Sequence, residues 1–161
     1  MLVEVTTSPD AAAVRDAAGI WARATARRDG TTSPTSVDAT EAGVRRRLAL
    51  EGAALLLARQ DERMVGFALV APRPETLELF HLAVDPSAWG HGLAAELLRA
   101  VDSRAGVVGR TTLELWVIDD NQRALGVYER AGWTRTDQTE RDPTSGRIER
   151  RLVRRTPVPR V

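Results

Sequence analysis

Cysteine is absent from this 161-residue chain, which excludes disulfides, zinc–thiolate sites and thiol nucleophiles. Lysine is absent as well, so every basic side chain is arginine and no side-chain amine exists to be modified. The two histidines, His81 and His91, stand 10 positions apart with no Cys beside them, so no metal is expected. No long apolar run occurs, and Met1-Leu2-Val3-Glu4-Val5 has no basic stretch leading into an apolar one; no membrane segment is expected, and the cytoplasm is the expected compartment. An excess of one charge is also lacking. With 23 basic and 22 acidic side chains the formal net charge is +1, so neither nucleic acid nor an anionic membrane is expected as a partner.

What is present suits one globular domain: 43% hydrophobic and 28% charged residues. Residues 1–155 are read as that domain, and 156–161, with Pro157 and Pro159, as a loose tail. Leu2 to Thr6 alternates apolar and polar, as a short edge strand does. Ser8-Pro9-Asp10 reads as helix N-cap, first-turn proline and first-turn acid, ahead of Val14, Ala18 and Trp21 on one helical face. After a polar loop from Gly30 to Ser36, Asp38 and Glu41 read as a capping box stapled by Val37 and Ala42, with a second helix running to about Glu51.

Ala53 to Ala58 and Met64 to Val70 are apolar runs joined by Gln60-Asp61-Glu62-Arg63, a link so short that the pair must be antiparallel. Thr76 to Val84 reads as the third strand of this meander, apolar enough to be buried on both faces. A helix opens at Gly92, a strand runs from Thr111 to Ile118, and a helix from Asn121 to Ala131 is terminated by Gly132. Trp133 to Asp137 starts another strand, and Arg147 to Val153 closes the sheet. The expected fold class is α/β: a mixed, mostly antiparallel sheet of about six to seven strands flanked by about four helices. Trp21, Trp116 and Trp133 are read as core residues.

The stretch richest in chemistry is Asp85-Pro86, then Trp89-Gly90-His91-Gly92-Leu93-Ala94 and a helix. Glycines at alternate positions let the backbone turn sharply and aim successive N–H groups outward at a helix N-terminus, an arrangement that binds pyrophosphate. Gly90-x-Gly92-x-x-Ala95 also fits a dinucleotide fingerprint, but the preceding strands are joined too tightly for parallel crossovers. A second constellation is Asn121-x-x-Ala124-x-x-x-Tyr128, ending in Gly132-Trp133. At about 100° per residue these three lie within roughly 60° of one another, so one elongated ligand could touch an amide, a small residue and a phenol.

Together, Leu82-Ala83-Val84-Asp85-Pro86, Gly90-His91-Gly92-Leu93-Ala94, and Asn121, Ala124, Tyr128 and Gly132-Trp133 resemble the GNAT family of N-acetyltransferases. The resemblance covers nearly the whole chain and implies an acetyl-CoA site as co-substrate. Backbone amides from Gly90 to Ala94, by way of His91, Gly92 and Leu93, would hold the pyrophosphate. Leu82 and Val84, flanking Ala83, would pair through their backbones with the pantetheine arm, and Leu82 N–H would receive the oxyanion. Asn121 would contact the arm, and Tyr128 would protonate the departing thiolate. Trp89 departs from the family, which usually has Gln or Arg there. The sheet would splay between the strand ending at Val84 and that ending near Ile118.

Direct attack of an amine on a thioester needs an oxyanion donor, an acid and a base. Glu78 is the first candidate base, at a position similar to the catalytic glutamate of histone-modifying relatives, and it shares strand parity with Phe80, Leu82 and Val84. His81 has the opposite parity unless a bulge intervenes; Glu114 and water are the other candidates. The arginine runs Arg45-Arg46-Arg47, Arg150-Arg151 and Arg154-Arg155 read as a solvated face, because no aromatics interleave. The expected acceptor is the primary amine of a small molecule, shaped by the Gly30–Ser36 loop and by Thr139 to Gly146, where Asp29, Glu140 and Asp142 are the only acids nearby. A homodimer is compatible with this reading. Two alternatives are a non-catalytic acyl-CoA-binding module, against which Tyr128 argues, and a transferase acting on a protein or aminoacyl-tRNA amine.

Overall fold

A computed structural model describes residues 3–30, 36–143 and 145–157. In chain order the elements are β1 (Val3–Thr6), α1 (Ala11–Asp29), α2 (Val37–Leu48), β2 (Ala54–Gln60), β3 (Arg63–Pro72), β4 (Leu77–Val84) and a 3-10 turn (Pro86–Ala88). Then come α3 (Leu93–Val107), β5 (Thr112–Ile118), α4 (Gln122–Arg130), β6 (Thr134–Arg141) and β7 (Ile148–Arg155). The fold is α/β, with one seven-stranded sheet in the order β1-β2-β3-β4-β5-β7-β6. Every neighbouring pair is antiparallel except β4 with β5. Arg147 to Val153 was expected to close the sheet, but β7 lies between β5 and β6, so β6 forms the edge.

Two-residue alternation in the strands sorts the core into two layers. Leu56, Val70, Leu77, Leu79, Leu113, Leu115 and Leu152 pack with Val101 of α3 and Leu125 of α4 on one face. Leu55, Leu57, Phe67 and Leu69 pack with Val14 and Ile20 of α1 and Val44 of α2 on the other. Phe67, Leu69, Leu77 and Leu113 are fully enclosed; burial of each such side chain stabilises by about 1.5–3 kcal/mol. Of the three expected core tryptophans only Trp133 is buried, while Trp21 and Trp116 are half-buried.

The helix starts differ from the sequence expectation. Asp10, not Ser8, caps α1 by accepting from Ala13 N–H at 2.8 Å, while Ser8 N–H turns back to Thr6 Oγ1 at 3.2 Å. Ser36, not Asp38, caps α2 through Ala39 N–H at 3.3 Å, and the helix ends at Leu48 rather than near Glu51. The expected capping-box acids are drawn to Arg15 of α1 instead, Asp38 at 2.5 Å and Glu41 at 2.8 Å. An interhelical cation outcompetes a neutral backbone N–H for an exposed carboxylate. The arginine runs are partnered in the same way: Arg45 with Glu41, Arg150 with Asp119, Arg151 with Glu114 and Arg154 with Asp102. In the expected tail, Thr156 N–H donates to Thr111 O at 2.9 Å. The rest of that expectation, 158–161, lies outside the described residues, as do 31–35 of the Gly30–Ser36 loop.

The decisive irregularity is in β4. Opposite β3, Leu79 pairs with Val70 but His81 pairs with Leu69, so Phe80 is an extra residue in a β-bulge. A bulge bends its strand and shifts its parity by one. Leu77 and Leu79 therefore face the α3 layer, Phe80 and Ala83 face α1 and α2, and Leu82 and Val84 return to the α3 side. This corrects the parity assigned from sequence: Glu78 shares a face with His81 and Ala83, not with Leu82 and Val84. β4 is also not buried on both faces, since Glu78, Phe80, His81, Leu82 and Val84 are all half-buried. The cause is adjacent, because parallel pairing with β5 runs only from Leu77↔Leu113 to Leu79↔Leu115 and then stops.

Candidate active site

Past Leu79 and Leu115 the two central strands diverge, and β4 presents a backbone edge with no ladder partner on that side. Asp85 N–H donates to Val65 O of β3 at 2.7 Å. Residues of that parity turn their backbone groups toward β3, so Leu82 and Val84 turn theirs toward the opening. The end of β4 is fixed by Asp85, which accepts from Arg23 Nε and Nη2 of α1 at 3.0 and 2.7 Å and from Ser87 N–H and Oγ at 3.0 and 2.8 Å. These bonds hold the Asp85 carboxyl below its ordinary pKa against the opposing effect of burial. Arg23 could not be picked out from sequence as the partner of Asp85, because the two lie 62 residues apart.

The glycine turn comes next. Gly90 (φ +87°) and Gly92 (φ +76°) both adopt the left-handed conformation that side chains resist. A Cβ built on either would meet no protein atom within 4 Å, so the turn stands open to a ligand. Gly92 is the N-cap of α3 and gives it no side-chain hydrogen bond, whereas Asp10, Ser36 and Asn121 cap α1, α2 and α4. The first intrahelical bond of α3 is from Glu96 N–H to Gly92 O, which leaves the N–H groups of Leu93 and Ala94 without intrahelical partners. His91 is exposed, and Leu93 is buried and anchors the turn. These donors and this open approach fit a pyrophosphate. Trp89, just ahead of the turn, donates from Nε1 to Val84 O at 2.7 Å.

The facing wall is α4. Asn121 stands at its N-cap, not within it, and its Oδ1 accepts from Ala124 N–H at 3.1 Å, which leaves the side-chain amide N–H groups for another partner. Ala124 and Tyr128 are half-buried against the α3-side core. The Tyr128 ring meets Trp133 edge-on at 5.8 Å, and burial pushes its hydroxyl up to about 12, so the phenol is protonated at neutral pH.

The three candidate bases separate clearly. Glu78 has a side chain only 15% exposed with Arg73 Nε at 3.5 Å. Burial, followed by the neighbouring charge of Glu114, pushes its carboxyl up to about 7. Glu114, paired beside it across β4 and β5, is tied to Thr76 Oγ1 and Arg151 Nε, both at 2.7 Å. His81 lies edge-on to Trp21 at 4.4 Å with both ring nitrogens buried and unpartnered. Burial, and then the charge of Arg47, push it down to about 3, so it is neutral and weakly basic. Glu78 and Glu114 were expected from sequence as candidate bases; the sheet brings Glu149 to the same face as well, its carboxyl raised by burial and then by Asp142 and Glu140. Their periodicity of two was visible; their convergence depended on strand order.

Residues 21–133 match the family described as the acetyltransferase (GNAT) family. Among curated proteins, the mycothiol acetyltransferase of Brachybacterium faecium is 33% identical over 102 residues, 58% of this chain and 31% of that one. The chain thus spans about a third of that relative's length. Among solved structures, the ribosomal-protein-S18-alanine N-acetyltransferase from Escherichia coli superposes with a TM-score of 0.74 at 21% identity, covering 98% of this chain and 96% of the other. An aminoglycoside 6'-N-acetyltransferase complexed with coenzyme A gives 0.75 at 13% identity, covering 100% of this chain and 99% of that one. With the family match running from α1 to the residue before β6, through the bulged strand, the glycine turn and α4, the chain belongs to the GNAT acetyltransferase family.

Proposed function

We propose that this chain transfers the acetyl group of acetyl-CoA to a primary amine of a small molecule by direct attack. The observation that carries this reading is the opened edge of β4 at Leu82 and Val84 beside the uncapped, glycine-led N-terminus of α3. The amides of Gly92, Leu93 and Ala94 hold the pyrophosphate of acetyl-CoA, and the Leu82 and Val84 backbones pair with its pantetheine arm. Asn121 and Ala124 line the arm from α4. The relative named for mycothiol, at 33% identity, supports such an acceptor more than the neighbour named for ribosomal protein S18, at 21%, supports a protein amine.

Glu78 takes the surplus proton of the attacking amine, and the carboxylates on the same side of the sheet attract that amine as a cation. The Leu82 N–H donates to the oxygen that becomes anionic as the C–N bond forms. Tyr128 donates its hydroxyl proton to sulfur as the C–S bond breaks. An ordinary thiol has a pKa of about 8.5, so transfer from a phenol at about 12 is uphill even onto the finished thiolate; it is driven by the C–S cleavage it accompanies, and the phenolate left on Tyr128 regains its proton from water. No covalent enzyme intermediate is required.

The test is a panel of small amines incubated with acetyl-CoA, read by thiol release and product mass. Acetylation of one of them is expected; coenzyme A binding with no thiol release for any amine would favour the non-catalytic module. With the responsive amine, kcat/KM should rise with pH through an inflection near 7, because Glu78 works as a base only after losing its proton. Glu78→Gln should abolish that inflection and recover part of its rate at high pH, where the amine deprotonates unaided. An unchanged profile would move the base elsewhere.

A further inference from the structure

Trp89 stands between the end of β4 and the glycine turn. Its indole Nε1 donates to the Val84 carbonyl at 2.7 Å. The guanidinium of Arg123 lies 4.7 Å from the centroid of its ring, and that of Arg27 lies 6.0 Å away. Val84 is the last residue of β4, and Arg123 is in the first turn of α4, the helix that follows β5. The ring therefore reaches from one lip of the splayed opening to the other. It also consumes one of the two backbone acceptors, Leu82 and Val84, that β4 turns toward the opening.

We propose that Trp89 is a clasp that competes with acyl-CoA: in the free protein it satisfies the Val84 carbonyl and bridges to Arg123, and the pantetheine arm must displace it. The proposal rests on the acyl-CoA reading of the site. A carbonyl already bonded within the protein gains nothing when a ligand amide takes its place, since one hydrogen bond is exchanged for another. A carbonyl released to water by a side chain lacking the donor gives the arm its full contribution. Trp89 thus sets co-substrate affinity without touching the reacting atoms. A substitution that keeps the bulk and removes only the N–H should tighten binding, whereas an indole that packed on the ligand would make the same substitution weaken it.

The experiment is calorimetric titration of coenzyme A into the wild type and Trp89→Phe, with melting curves to verify folding. Trp89→Phe should bind about threefold to tenfold more tightly, the scale of one net hydrogen bond. Equal or weaker affinity would overturn the clasp. Trp89→Leu, which also lacks the donor, carries the same expectation where the phenylalanine variant fails to fold. In the wild type, the indole N–H resonance of Trp89 should shift as coenzyme A saturates the protein, and an unmoved resonance would equally overturn the proposal. Absence of any binding to the wild type would sink the acyl-CoA reading itself, and the clasp with it.

Discussion

Tyr128→Phe is expected to lower kcat by about 100-fold to 10,000-fold, the usual scale for a positioned general acid, while leaving acetyl-CoA affinity almost unchanged. The substitution removes one oxygen and keeps the ring, which packs edge-on against Trp133 and lies on the α3-side core. In the proposed reaction the proton on that oxygen is needed when the thiolate departs and not when the thioester binds, so kcat and kcat/KM should fall together. Because burial pushes the phenol up to about 12, it stays protonated across the working range. The loss should therefore be similar at about pH 7 and about pH 9, whereas the Glu78→Gln loss should shrink over that interval. Steady-state kinetics of both variants on the amine found in the panel, with calorimetric affinities alongside, make the comparison. Full turnover in Tyr128→Phe would assign the residue to packing and leave the thiolate to another donor.

Gly92→Val is expected to weaken acetyl-CoA binding by about 10-fold to 100-fold or more, corresponding to the loss of one or two charge-assisted hydrogen bonds to phosphate. The structure identifies which of two effects acts. A Cβ at Gly92 has no protein atom within 4 Å, so crowding inside the free protein is not the cause. The backbone is at φ +76°, which a β-branched side chain resists, and the added atoms would enter the open space in which the proposed pyrophosphate site lies. The variant should fold with a somewhat lower melting temperature, and the damage should concentrate in ligand binding. Calorimetry on a folded Gly92→Val protein that retains wild-type affinity would remove the pyrophosphate from this turn. Acetyl-CoA should also raise the wild-type melting temperature, and raise that of the variant less at the same concentration.

Local signals carried the elements a long way. Apolar runs separated by Gln60-Asp61-Glu62-Arg63 specify an antiparallel pair because no crossover fits in so few residues. Gly90 and Gly92 specify a turn with positive φ because only glycine adopts it freely, and Gly132 likewise comes after α4 at φ +94°. Helix starts were less legible, since several Ser and Asp side chains stood within reach of the same orphan N–H groups. Ser36 won at α2 because Arg15, on a separate helix, drew Asp38 and Glu41 away.

The sequence by itself determined the α/β class, the antiparallel meander and the left-handed glycines at the head of α3, because the strand links and the glycine turn depend on residues within a turn or two of one another. Tertiary structure alone decided the rest. Hydrogen-bond register against β3 decided that Phe80 is the extra residue, and so reversed the face on which Glu78 lies. Strand order decided that Glu114 stands beside Glu78 and helps raise it to about 7, while burial silences His81. A 62-residue loop closure brought Arg23 to Asp85, and side-chain packing at the lips of the opening set Trp89 on the Val84 carbonyl. Parity, charge and burial at the site arise from pairings between distant segments, and a periodicity read along one strand carries no information about the strand that will lie beside it.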